Sequence, residues 1–292
     1  MALRRGSDGE LAVHELADGD GDRIPEGGTD LLLVHATGLH GRVWAPLVPH
    51  LAASLGARAL ALDLRGHGES AGSASWPAGG MAWSDLATDI LDVVDGLQMR
   101  HPIAVGHSSG ASLLLLAEEL RPGTFAGLYC IEPIGTAEEE PPPPDPAHPL
   151  ADGARRRRQV FPSHQAAFDA YRGKPPFSLV APEALWAYVE HGFEEVGGGG
   201  GEVRLRCRPE TEADMYTHGL SHTAYRDLSK VGCPVTLARG GESQAVRAGA
   251  LDLWSTRLLD ARLEVLPGLG HFAPLEDPAA VARSVAAAFE PV

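Results

Sequence analysis

Cysteines are few in this chain, and basic residues are outnumbered. Cys130, Cys207 and Cys233 are odd in number, far apart and not in Cys-x-x-Cys spacing, which leaves no disulfide framework and no zinc ribbon to build. They read as small buried hydrophobes. Lys and Arg total 24 against 39 Asp and Glu, for a formal charge of -15, which repels the phosphates of nucleic acid and the anionic face of a membrane. No apolar run approaches a membrane span, and Arg4 and Arg5 are followed by no signal-peptide core. A cytoplasmic protein without nucleic-acid or membrane partners is expected.

What is present is enough apolar material for a sizeable core, 44% hydrophobic over 292 residues. Short apolar runs alternate with helical patterns. The runs are Leu31 to His35, Arg58 to Asp63, Pro102 to Gly106, Ala126 to Ile131, Pro234 to Ala238 and Arg262 to Leu266, with Leu11 to Leu16 as an added edge strand. Helices are expected over 42–54, 81–97, 109–120, 245–258 and 277–289, the last opened by Asp277 and Pro278. This alternation predicts an α/β fold, a mostly parallel central sheet flanked by helices.

The alternation breaks between about Gly135 and Asp227, where helical stretches at 182–196 and 209–228 take over. The expected division is a core of residues 1–135 and 228–292 with a helical cap inserted at 136–227. Within it, Pro141 to Pro144 reads as a stiff extended linker and Gly197 to Gly201 as a flexible connector. Arg155 to Arg158 reads as a solvated helix face, with an anion or partner site as the alternative.

Chemistry enters at Gly106-His107-Ser108-Ser109-Gly110, a G-x-S-x-G between the run Pro102 to Val105 and the helix Ala111 to Leu120. A serine on so sharp a strand-to-helix turn is strained, and flanking glycines let strand and helix pass closely. Its hydroxyl stands at a helix N-terminus, where backbone N–H groups and the helix dipole favour a developing oxyanion.

These residues resemble the α/β-hydrolase family, in its capped, esterase-like branch. Leu32 to Gly38 is similar to the family's strand followed by His-Gly-x, with Ala36 replacing the usual glycine; the resemblance implies backbone N–H donors to an oxyanion from Thr37 and Ser109. Asp63-Leu64-Arg65-Gly66-His67-Gly68-Glu69-Ser70 resembles the family's Asp-x-Arg-Gly-x-Gly-x-Ser turn, which makes His67 structural. Pro267-Gly268-Leu269-Gly270-His271-Phe272 is similar to the loop carrying the family's histidine, which implies His271 as general base to a Ser108 nucleophile. The triad acid then falls between them in the chain. The common acid position, three residues past the glycine ending the penultimate strand, holds Ser243, which cannot stabilise an imidazolium. Glu132, at a strand end used by some relatives including certain haloalkane dehalogenases, is favoured over Glu242, because a one-residue shift redirects a side chain.

Among the remaining histidines, His218 and His222 have helical i, i+4 spacing but no intervening H-E-x-x-H glutamate and no third ligand, so no metal is expected. That helix, with Tyr216 and Tyr225, is expected to roof a pocket, and Trp186, Tyr216 and His218 are the candidate substrate contacts. His40 is expected to face the pocket, to lie at the surface, or to sit behind the pocket-lining residues. The expected activity is serine-dependent hydrolysis of a small or medium hydrophobic ester or lactone, with no metal or organic cofactor. A perhydrolase or carbon–carbon hydrolase on the same residues, and a non-catalytic ligand receptor, are the alternatives.

Overall fold

The computed structural model describes residues 2–5, 9–16, 29–72, 80–136, 140–197, 201–246 and 248–289. Of the expected glycine connector, Gly198 to Gly200 lie outside the described residues. The first half of the chain runs β1 (Ala2–Arg5), β2 (Gly9–Leu16), β3 (Asp30–Val34), α1 (Val48–Leu55), β4 (Arg58–Leu62), α2 (Trp83–Gly96), β5 (Ile103–His107), α3 (Ser109–Leu120) and β6 (Gly127–Ile131). After a long excursion it closes with β10 (Val235–Gly240), α8 (Ala248–Arg257), β11 (Ala261–Leu266), α9 (Ala273–Glu276) and α10 (Pro278–Phe289).

These strands form one eight-stranded sheet in the order β1-β2-β4-β3-β5-β6-β10-β11. The β1–β2 and β2–β4 pairs are antiparallel and every other pair is parallel. The fold is thus the expected mostly parallel sheet with flanking helices. Leu31, Leu32, Leu33 and Val34 are fully buried because parallel strands are covered on both faces. One apolar layer joins Leu32 and Val34 to α2, α3 and α8 through Leu86, Leu113 and Trp254. The other joins Leu31 and Leu33 to α1, α10 and the inserted segment through Leu51, Val285 and Tyr188. No helix among the described residues is long and apolar enough to cross a membrane.

The strand order places the site. From β3 the chain moves to β4 on one side, and from β5 to β6 on the other, so their connections diverge at the carboxyl ends of β3 and β5. A crevice opens at such a switch point, between the loop after Val34 and the turn after His107.

Between β6 and β10 lie α4 (Pro149–Arg155), β7 (Val160–Phe161), α5 (His164–Arg172), α6 (Pro182–Gly192), β8 (Phe193–Glu195), β9 (Val203–Leu205) and α7 (Pro209–Thr217). Three expectations are corrected here. A small antiparallel sheet, β7-β9-β8, accompanies the helices; its strands have only two or three residues, too short for alternation to register. The helix expected over 209–228 stops at Thr217 just before Gly219, the residue type that ends helices. His218 and His222 therefore do not share a helix face, and His222 stacks on Trp83 at 4.1 Å. Finally, Leu11 to Leu16 is not an edge strand, because β1 covers β2.

Burial of histidines makes the fold acid-sensitive. Burial pushes His35 and His107 down to about 3, and His40 and His222 down to about 4. All four are neutral in the native state at pH 5, while in the unfolded chain they take up protons below their ordinary value of about 6.5. Stability is fully present above that value and is lost as pH falls from 6.5 towards 3. Glu119, pushed up to about 8 by burial, works in the opposite sense but is one group against four. The net loss between pH 7 and pH 5 is expected to be on the order of 5 kcal/mol. Urea melts at the two pH values check this, and an unchanged midpoint would contradict it.

Candidate active site

Ser108 sits between β5 and α3 with φ 54° and ψ -117°, a left-handed conformation that costs a non-glycine residue about 1–3 kcal/mol. Its amide is tied to the Ile131 carbonyl at 2.8 Å, so the tight turn is built into the sheet. Gly110 explains the close packing behind it. A Cβ there would lie 2.4 Å from the Val34 carbonyl oxygen and 2.6 Å from that of His35, so any side chain would push α3 off β3.

His271 arrives on the loop after β11. Glu276 fixes that loop by accepting from the Gly270 and Phe272 amides at 2.6 and 3.2 Å. His107 donates through Nε2 to the His271 carbonyl at 2.7 Å. The ring then bridges two side chains, with Nε2 3.2 Å from Ser108 Oγ and Nδ1 2.8 Å from Glu132 Oε2. Because an ionised carboxylate can only accept, Nδ1 carries the ring proton and Nε2 presents a lone pair to the serine hydroxyl.

Glu132 is wholly buried and follows β6 in a left-handed conformation, φ 53°, its amide bonded to the Ala238 carbonyl at 2.7 Å. Gly240 N–H donates to its Oε1 at 2.7 Å, and the Ser243 hydroxyl donates to its Oε2 at 2.6 Å. The serine that occupies the common acid position thus supports a carboxylate arriving from the neighbouring strand. Glu242, the other candidate, is exposed; its amide bonds the Leu269 carbonyl at 2.9 Å. The structure brings Glu132 to His271 and leaves Glu242 in solvent.

Across the crevice, Thr37 follows β3 and its hydroxyl donates to the Ser109 hydroxyl at 3.1 Å. Among the described residues neither the Thr37 nor the Ser109 backbone N–H meets a protein acceptor. Two backbone amides, one on the loop after β3 and one at the first residue of α3, therefore stand without a protein acceptor, an arrangement suited to a carbonyl oxygen gaining charge.

The other expected contacts are more dispersed. Trp186 is 39% exposed and packs on Phe168 at 5.5 Å between ring centres. His218 lies against Gly80 and bonds the Asp214 carbonyl at 3.0 Å. Tyr216 stacks on His148. No hydrogen bond, ion pair or ring contact links any of the three to Ser108 or His271 among the described residues. His40 is buried, stacked on Tyr188 and bonded to its carbonyl at 3.1 Å. His67 is buried behind the loop, donating through Nδ1 to the Arg65 carbonyl at 3.0 Å.

An aromatic wall leads away from His271, and the residue that sequence reasoning missed lies at its far end. Phe272 meets Phe177 at 5.7 Å between ring centres, and Phe177 stacks on Tyr188 at 5.1 Å. Beyond Tyr188 lies Arg157, expected on a solvated helix face; instead α4 ends at Arg155, and the Arg157 side chain turns inward and is only 16% exposed. Four consecutive arginines carry no periodicity that would single out one of them.

Comparison with known proteins places the chain in a family. Over 246 residues the chain is 29% identical to a 2-(acetamidomethylene)succinate hydrolase of Mesorhizobium japonicum, covering 83% of this chain and 81% of that protein. A pimeloyl acyl-carrier protein methyl ester esterase of Methylococcus capsulatus is 34% identical over 113 residues, 38% of this chain and 40% of the esterase. The crystal structure of an E-2-(acetamidomethylene)succinate hydrolase superposes with a TM-score of 0.77 at 23% identity, over 100% of this chain and 99% of that one. Residues 31–284 match the model of the alpha/beta hydrolase family, and the chain is a member of that family.

Proposed function

We propose that the protein is a serine hydrolase that cleaves a small or medium ester with an apolar portion through an acyl-enzyme. The observation that carries this reading is the unbroken chain from Ser108 Oγ to His271 Nε2 at 3.2 Å and from His271 Nδ1 to Glu132 Oε2 at 2.8 Å. In it, His271 removes the Ser108 proton as Oγ attacks the acyl carbonyl, and Glu132 holds the ring tautomer and offsets the charge of the imidazolium. The Thr37 and Ser109 amides stabilise the oxyanion. Collapse of the tetrahedral intermediate expels the alkoxide, which takes its proton from His271. Water, activated by the same ring, then releases the acid. Segment 136–227 acts as a cap that supplies the aromatic wall.

The hydrolase relatives support the class of reaction, and the methyl ester esterase supports the bond. The name of the 2-(acetamidomethylene)succinate hydrolase makes an amide-like acyl substrate the second reading, on the same residues. Stopped-flow hydrolysis of 4-nitrophenyl butyrate is expected to show a burst of one nitrophenolate per chain, followed by slower turnover. A panel of esters, lactones, amides and peracid formation then ranks the bonds cleaved. Absence of both burst and turnover across the panel would reject the hydrolase reading in favour of a ligand receptor.

A further inference from the structure

A cluster of polar groups that the triad does not use lies beside the oxyanion loop. Arg157 Nη1 pairs with Glu212 Oε2, and Nη2 donates to the Tyr171 hydroxyl at 2.9 Å and to the Tyr188 hydroxyl at 2.5 Å. The pair rests on the residue that follows Thr37. A Cβ on Gly38 would lie 2.8 Å from Glu212 Oε1 and 3.4 Å from Arg157 Nη1, and Gly38 has φ +77°. Only glycine permits both the backbone conformation and this approach.

The donors and acceptors of the cluster do not balance. Glu212 takes its side-chain hydrogen bond from Arg157. The oxygens of Tyr171 and Tyr188 both accept from the guanidinium, so each phenol still has its own O–H proton to place. Among the described residues neither proton meets an acceptor. Tyr188 is 1% exposed, and a buried hydroxyl is ordinarily satisfied. Two donors, flanking a cation and adjoining the site, lack an acceptor that offers more than one lone pair.

Resting on the serine-hydrolase reading, we infer that the substrate carries a carboxylate, received by the hydroxyls of Tyr171 and Tyr188 with Arg157 behind them. The acyl carbonyl faces Thr37 and Ser109, and the carboxylate lies farther along the wall of Phe272, Phe177 and Tyr188. Arg157 orients both phenols, since each hydroxyl that accepts from Nη2 must aim its proton elsewhere. Glu212 keeps the empty cluster neutral. The substrate class is a half-ester of a dicarboxylic acid, or its amide counterpart, with the aliphatic spacer against the rings.

Monomethyl esters of succinate, glutarate, adipate and suberate, each paired with an uncharged methyl ester of matched length, test this on the full chain. For at least one spacer, kcat/KM of the half-ester is expected to exceed that of its uncharged match about tenfold or more. Tyr171→Phe should lower that ratio severalfold. Removing both charges with Arg157→Gln and Glu212→Gln together, which leaves no buried ion unpaired, should lower it about tenfold. If the cluster only clamps the inserted segment to the loop, the variants lose both substrates equally; an unmoved ratio, or a parent that disfavours every half-ester, overturns the inference. A fluorophosphonate separates the two layers of argument. Failure to label Ser108 removes the hydrolase reading and this inference with it, whereas normal labelling with an unmoved ratio removes the inference alone. Should none of the esters turn over, the free dicarboxylates decide: they must slow labelling of the parent and not of the double variant, and the absence of any protection overturns the inference.

Discussion

Replacing Ser108 with alanine is expected to abolish turnover, by up to about a millionfold in kcat as in other serine hydrolases, while the protein stays folded. The change deletes one oxygen whose hydrogen-bond partner is His271 Nε2 and leaves every backbone bond of the turn in place. Alanine and serine pay a similar cost at φ 54°. Circular dichroism and the thermal midpoint should match the parent within a few degrees. A variant with activity within tenfold of the parent would remove Ser108 from the mechanism.

Glu132→Gln carries the second-largest effect, up to roughly ten-thousandfold in kcat. The amide has one orientation open to it. Its oxygen must accept from Gly240 N–H, because turning the NH2 there would set donor against donor. The NH2 then faces His271 Nδ1 and donates to it. That forces the ring proton onto Nε2, where the ring can no longer take the serine proton. Glu242→Gln, at an exposed residue, should change kcat less than threefold, well within the ordinary range of surface substitutions. Comparable losses in the two variants would contradict the assignment of roles.

The parts of this molecule that were legible in its sequence are those governed by local patterning. The parallel strands announce themselves because both their faces are buried, so Leu31 to Val34 and Ala59 to Leu62 read as unbroken apolar runs. The helix after the elbow runs over Ser109–Leu120 as expected, its start set by the turn and its end by Pro122 and Gly123. The choice between Glu132 and Glu242 stayed open, because both follow strand ends and only the pairing of β6 with β10 decides which reaches the histidine. Ser243 is instructive in the same way. Its place beside Glu132 reads as a lost acid in one dimension and as a hydroxyl partner in three.

Arg157 was illegible for a different reason. A run of arginines in an acidic chain is usually solvated, and burying one depends on Glu212, Tyr171 and Tyr188, which are 55, 14 and 31 residues away. The helix expected over 209–228 stops at Thr217, just before Gly219, a breaker already present in the sequence. The small sheet of β7, β9 and β8 rests on tertiary contact more than on propensity, since Phe161, Phe193, Val203 and Leu205 are buried against the same layer as Tyr188.

Serine hydrolysis by this protein requires Ser108 to be a live nucleophile. Treating the protein with an excess of a fluorophosphonate and mapping the adduct by peptide mass spectrometry measures this directly. One phosphonyl group per chain is expected, on Ser108, formed much more slowly in Glu132→Gln and absent in Ser108→Ala. An unmodified Ser108, or an adduct confined to another residue, would contradict it.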